Sequence, residues 1–164
     1  MGVGVSDWRL ARTVSQAGQM GVVSGTGLDA LYLRRLQDGD PGGHMRRAMA
    51  AFPMEGVVDR ILDTYFIDGG KAPGDRYKAK PMPRVDPSEK ALDLMVVGNF
   101  VEVYLAKEGH DGVVGINYLE KIQTPHLASM YGAMLADVDY VLMGAGIPMA
   151  IPGIAIGIPA PINT

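Results

Sequence analysis

Residues 113–148, VVGINYLEKIQTPHLASMYGAMLADVDYVLMGAGIP, read as strand, helix and strand in one unit. Val113 to Tyr118 is a short β-rich run. Thr124 then suits a helix N-cap, with Pro125 at the first helical position. Leu127, Met130, Tyr131, Met134 and Leu135 recur at three- and four-residue spacing and predict one apolar helix stripe. Tyr140 to Met143 is a fully apolar strand, closed by Gly144-Ala145-Gly146 and Pro148. A βαβ unit of this kind implies a parallel sheet buried on both faces. Ligands in such folds sit beyond the carboxyl ends of the strands, which here carry Asn117 and Gly144.

Working outward, the preceding chain repeats the theme. Ser6 or Asp7 can cap a helix whose expected buried side is Trp8, Leu10, Ala11, Val14 and Ala17, with Gly18 at its C-terminal end. Residues 20–24 read as a strand and Gly25-Thr26-Gly27 as the turn after it. Leu28 to Leu36 reads as a helix with Asp29 near its start and Arg34-Arg35 near its end, a favourable dipole arrangement. Two more helical runs, His44–Phe52 and Met54–Phe66, flank Pro53. Residues 69–87 hold four prolines and three glycines and predict a surface excursion or lid, not a domain boundary. Residues 94–97 read as a strand with Gly98-Asn99 as its turn; Phe100 to Lys107 fits helix and strand periods equally. Four strands, at 20–24, 94–97, 113–118 and 140–143, with helices between them, make half of an eight-stranded barrel or most of a small open sheet. A complete barrel takes about 250 residues.

Composition narrows the classes. The 164 residues are 48% hydrophobic and 20% charged, which is globular and large enough for one domain with a core. A net charge of -3 gives no electrostatic case for nucleic acid. Without cysteine there are no disulfides, thiol nucleophiles or thiolate metal sites. No signal peptide is visible, and the prolines and glycines after Asp139 argue against a spanning helix. The expectation is a cytoplasmic protein without a membrane anchor.

The candidate chemical residues are few. Asn99, Asn117, Gly144 and Gly146 stand at expected strand ends. His44, His110 and His126 lack metal-ligand spacing; His110, in a loop beside Asp111, is the candidate catalytic base. Glu102, Glu108 and Glu120 could cluster, and Arg46-Arg47 could contact an anion, although adjacent charges usually form a solvated face. GVGVSD is not GxGxxG, so a dinucleotide fold is disfavoured.

GVGVS at residues 2–6, WRLARTVSQAGQMGVVSGT, NFVEVYLAKEGH, VGINYLEKIQ and YGAMLADVDYVLMGAGIP together resemble the nitronate monooxygenases, formerly 2-nitropropane dioxygenases. They are most similar to the branch near the flavin-dependent enoyl reductases of polyunsaturated fatty acid and polyketide synthesis. The resemblance covers nearly all of residues 1–153 and implies a TIM (β/α)8 barrel holding FMN at the carboxyl ends of its strands. It implies that residues 1–164 are a single, partial domain, roughly the first half of that barrel. The strand expected ahead of Gly2 and the downstream half, with the phosphate loops and the catalytic histidine, are missing from it. By this resemblance Gly2, Val3 and Gly4 lie against the flavin, Ser24 and Gly25 match the next strand-end turn, and Asn99 or Asn117 bonds the ring's polar edge; Gly144 joins these cofactor contacts. The implied substrates are alkyl nitronates oxidised with O₂ or, in the reductase branch, an enoyl thioester. The alternative is a non-catalytic barrel fragment that self-associates through its open sheet edges.

Overall fold

The computed structural model describes residues 2–82, 84, 86–119, 126–144 and 146. Among them the chain is α/β, with six helices and a three-stranded parallel sheet. In chain order the elements are α1 (Trp8–Gln16), β1 (Gly21–Ser24), α2 (Leu28–Gln37), α3 (His44–Ala50), α4 (Val57–Tyr65), α5 (Glu89–Lys107), β2 (Val114–Leu119), α6 (His126–Leu135) and β3 (Tyr140–Gly144). The strands lie in sequential order. Gly21 to Ser24 pair with Val114 to Asn117, and Gly115 to Leu119 pair with Tyr140 to Gly144.

Asp7 starts α1 as expected: its carboxylate accepts the Arg9 and Leu10 N–H groups. Gly18, at φ +79°, follows the C-cap in the left-handed region. The buried side of α1 is Trp8, Ala11 and Ser15. Leu10 and Ala17, expected inside, are exposed. Gly21 explains how closely α1 packs, since a Cβ there would fall 1.9 Å from the Ala11 carbonyl oxygen.

The main departure from the sequence reading is α5. Residues 94–97 are not a strand and Gly98-Asn99 is not a turn; both lie inside one 19-residue helix that also absorbs residues 100–107. Ser88 caps it, its hydroxyl accepting the Ala91 N–H. This helix packs against α1, α2, α3, α6 and the sheet. It is therefore buried nearly all round, and a continuous apolar run does not separate helix from strand. Gly98 belongs to this packing: a Cβ there would lie 2.9 Å from the Tyr32 ring.

In α6 the buried residues are His126, Ser129, Met130, Gly132 and Ala133. Leu127 is exposed, so the contact face is narrower and smaller than the expected stripe. The Thr124-Pro125 start lies outside the described residues. α3 and α4 are shorter than expected, ending at Ala50 and beginning at Val57, with Gly43 and Gly56 at positive φ as their N-caps.

The two sheet faces differ. Val23, Val114, Ile116 and Tyr118 point to the helix layer and are buried. On the other face Val22, Gly115 and Leu142 meet, because a Cβ on Gly115 would touch both side chains. Leu119 and Tyr140 share that face by the pleat and are exposed, Tyr140 by 58%. Burial on both faces, expected for a parallel sheet, therefore holds only on the helix side of the described residues.

Residues 69–82 form no regular element. They run as a strap along α2, not as a separate unit. Gln37, buried, holds them: its main-chain carbonyl accepts the Lys71 N–H at 2.8 Å and its side-chain oxygen the Lys78 N–H at 2.6 Å. Tyr77 donates to the Asp38 carboxylate at 2.9 Å. Lys80 then reaches Asp29 at the opposite end of α2.

Candidate functional site

A cavity of about 230 Å³ lies at the carboxyl ends of β1 and β2. Gly25 and Gly27 form its floor, Met95 and Asn99 of α5 one wall, and His126 and Ser129 of α6 another. Lys80 and Asp29 stand in the same lining. A larger groove, between α4 and the start of α5, is away from the strand ends.

The polar groups here are held in a chain. The Tyr118 hydroxyl lies 2.9 Å from both Asn99 Oδ1 and the Ser129 carbonyl, so one proton serves two acceptors. Asn99 Nδ2 donates to the Met95 carbonyl at 2.8 Å. Burial holds the Tyr118 phenol well above its ordinary range, so it is a neutral donor. His126 Nε2 donates to the Leu119 carbonyl at 2.8 Å, which fixes the proton on that nitrogen. Gly25 cannot carry a side chain here, because its Cβ would fall 2.3 Å from the Tyr118 ring.

The two asparagines part company. Asn99 is in mid-helix, behind the sheet, with both amide atoms engaged. Asn117 is in β2 on the open face, where its Nδ2 makes only a long bond, 3.4 Å, to the Leu142 carbonyl. A Cβ on Gly144 would sit 3.7 Å from that nitrogen, so Gly144 and Asn117 are neighbours. Ser24 is opposite Asn117 in the register. Gly2, Val3 and Gly4 lie over the β1–α2 turn: Val3 is in contact range of Gly27, and Ser6, at the loop's end, accepts the Ser24 N–H at 2.9 Å. Ser24, Asn117 and Gly144 thus meet on the open face at the carboxyl ends of the strands, Gly2–Gly4 lie over the β1–α2 turn, and Gly25 and Asn99 face the cavity on the helix side.

His110 is elsewhere. It sits in the loop that enters β2, at the amino end of the strands. Its Nε2 donates to the Ala106 carbonyl at 2.7 Å and its Nδ1 accepts the Gly112 N–H at 3.1 Å. That makes it a loop brace at the opposite end of the strands from the cavity, which does not fit the catalytic base read there from the sequence.

Nor do the carboxylates cluster. Glu102 is fully buried, accepts the Trp8 N–H at 2.9 Å and pairs with Arg35. Burial raises its carboxyl above the ordinary range, against the pull of Arg35. Glu108 is gripped by Arg47 at 2.8 Å, which lowers its carboxyl. Glu120 lies outside the described residues. Arg46 pairs with Asp40 at 3.3 Å, so Arg46 and Arg47 are both committed to acids. Among the described residues no group of three acidic or histidine side chains could hold a metal, and no helix is long and apolar enough to cross a membrane.

The sequence reading did not single out Lys80, Asp29, Tyr118, Ser129 or His126 as members of one site. Only the Pro125-His126 helix start after a strand pointed toward the last. Comparison with known protein families, with curated proteins and with solved structures found no match.

Proposed function

We propose that this chain is part of an FMN-dependent oxidoreductase of the nitronate monooxygenase type, oxidising alkyl nitronates with O₂ on a TIM-barrel framework. The observation that carries the proposal is the meeting of Ser24, Asn117 and Gly144 on the open face at the carboxyl ends of the three strands, next to the β1–α2 turn that Gly2–Gly4 cover. Three consecutive parallel strands in sequential order agree with part of a barrel. The resemblance in sequence supplies the chemistry.

The donor set suits a flavin ring. Glycines let main-chain N–H groups approach a flat ring closely. The Asn117 amide, loosely engaged at 3.4 Å, can donate and accept at the ring's polar edge. FMN, when bound, would supply a two-electron acceptor that O₂ can regenerate. The described residues of the open face carry no basic side chain, so the phosphate must be held by other groups. The chain's own part is to position the ring by the glycine edge, to orient it through Asn117, and to exclude water by the apolar side chains of Val22 and Leu142.

An enoyl thioester reduced at the same edge is the alternative within this chemistry. A second reading, a non-catalytic module that associates with itself, draws on the apolar open face, where Leu119 and Tyr140 are exposed. The visible spectrum of the purified chain, followed by identification of any flavin released on denaturation, separates these readings. Flavin in the released fraction, with turnover of a nitronate or an enoyl thioester, supports the first. A colourless protein that takes up no added FMN and whose mass rises with concentration supports the second.

A further inference from the structure

The geometry points to the carboxyl-end cavity as a binding site for a small organic anion, with Lys80 as its recognition residue. This inference does not depend on flavin chemistry. Among the described residues, Asp29 and Lys80 are the acid and the lysine of the lining. Asp29 is already satisfied: Oδ1 accepts the Ala30 N–H at 2.9 Å and Oδ2 faces Lys80. A lysine ammonium has three N–H donors, and Asp29 needs one. The remaining donors can serve a ligand without breaking the pair.

The strap explains why a lysine stands there. An ion pair on a partly exposed surface contributes little, too little to account for ordering a long irregular segment. Gln37 nevertheless clamps Lys71 and Lys78, and Tyr77 is tied to Asp38. The result is a cation delivered to the mouth of a cavity, with its side chain about one-quarter exposed. A cationic ligand would meet Lys80 and find its one acid taken. An anion would gain Lys80 and rest its carbon chain on Leu28 and Met95. A cavity of about 230 Å³ lies below the usual range of roughly 300–1,000 Å³ for drug-sized ligands, so the anion is a carboxylate-sized group on a short alkyl chain.

Amide chemical shifts of the whole chain, titrated with sodium butyrate at constant ionic strength, test this. Butyramide and butylammonium serve as neutral and cationic isosteres. Saturable shifts confined to residues 25–30, 80, 126 and 129 are expected with butyrate, with butyramide at least tenfold weaker. Lys80→Gln should weaken butyrate at least tenfold, and Lys80→Arg should retain it. Equal binding of butyrate and butyramide, unchanged binding by a folded Lys80→Gln chain, or no saturable shift at all would each overturn the inference. If Lys80→Gln does not fold, the butyrate–butyramide comparison on the unaltered chain decides.

Discussion

Gly132→Ala gives a sharp test of how α6 meets α5. A Cβ built on Gly132 falls 2.1 Å from the Val96 carbonyl oxygen and 2.8 Å from its carbon. Ordinary contact begins near 3.4 Å, so the helices must separate by about 1.3 Å or the added methyl must displace main chain. Neither partner is a rotatable side chain, which puts the overpacking cost near the upper end of about 1–3 kcal/mol. Alanine recovers about 1 kcal/mol through its better helix propensity. The net loss is therefore about 2 kcal/mol. For a chain of this size that lowers Tm by about 4–8 °C. Urea denaturation followed by circular dichroism measures it, with the slope unchanged and the midpoint lowered. A stabilised or unchanged variant would refute the reasoning, because then the helices are not in main-chain contact and residues 94–97 are not packed as part of α5.

Two buried tyrosines should respond with opposite sign. The Tyr32 hydroxyl is buried with no partner among the described residues, so Tyr32→Phe is expected to be neutral or to stabilise by about 1 kcal/mol in the same denaturation assay. Tyr118→Phe removes the donor shared by Asn99 and Ser129 and should cost about 1–3 kcal/mol. Glu102→Ala leaves the Trp8 N–H and Arg35 without the buried carboxylate, and calorimetry should show a loss of about 3–5 kcal/mol. Acid unfolding has a definite sign. Glu108, lowered by the Arg47 hydrogen bond, stabilises the fold above the ordinary carboxylate range and loses that contribution as pH falls through its depressed value. Glu102, raised by burial, acts in the opposite sense, its contribution declining as pH rises from the ordinary range through its raised value. Arg47→Met should therefore flatten the acid limb of a stability–pH curve, and Glu102→Gln should remove the opposing pH dependence.

Local signals in the sequence located most elements. Strands β1, β2 and β3 fall within a residue of the expected runs, because short apolar segments bounded by glycine leave few alternatives. Asp7 and Gly18 mark helix ends through their own chemistry. The α5 region failed for a physical reason: its helix is enclosed by other elements, so no polar face reveals its period. Asn99 was misplaced with it, from a strand end to a mid-helix bond with Tyr118. The strap could be seen as irregular in the prolines of residues 69–87, but its docking on Gln37 depends on a contact 41 residues distant in sequence. That distance also hid Lys80. His126 was legible only as a helix start, since its role depends on which strand end it faces.

The most direct test of the account is FMN titration of the purified chain, its Asn117→Ala variant and its Asn99→Ala variant, read by flavin fluorescence. If the ring lies on the open face at the carboxyl ends of the strands, the unaltered chain binds FMN saturably but weakly, since the described residues of that face offer the phosphate no basic side chain, and Asn117→Ala weakens it by about tenfold or more, the equivalent of losing one hydrogen bond to the ring, about 1.5 kcal/mol. Asn99→Ala should lower stability and leave the affinity of the folded fraction close to that of the unaltered chain. Equal affinity in the unaltered and Asn117→Ala chains, or no saturable FMN binding in any of the three, would contradict the account.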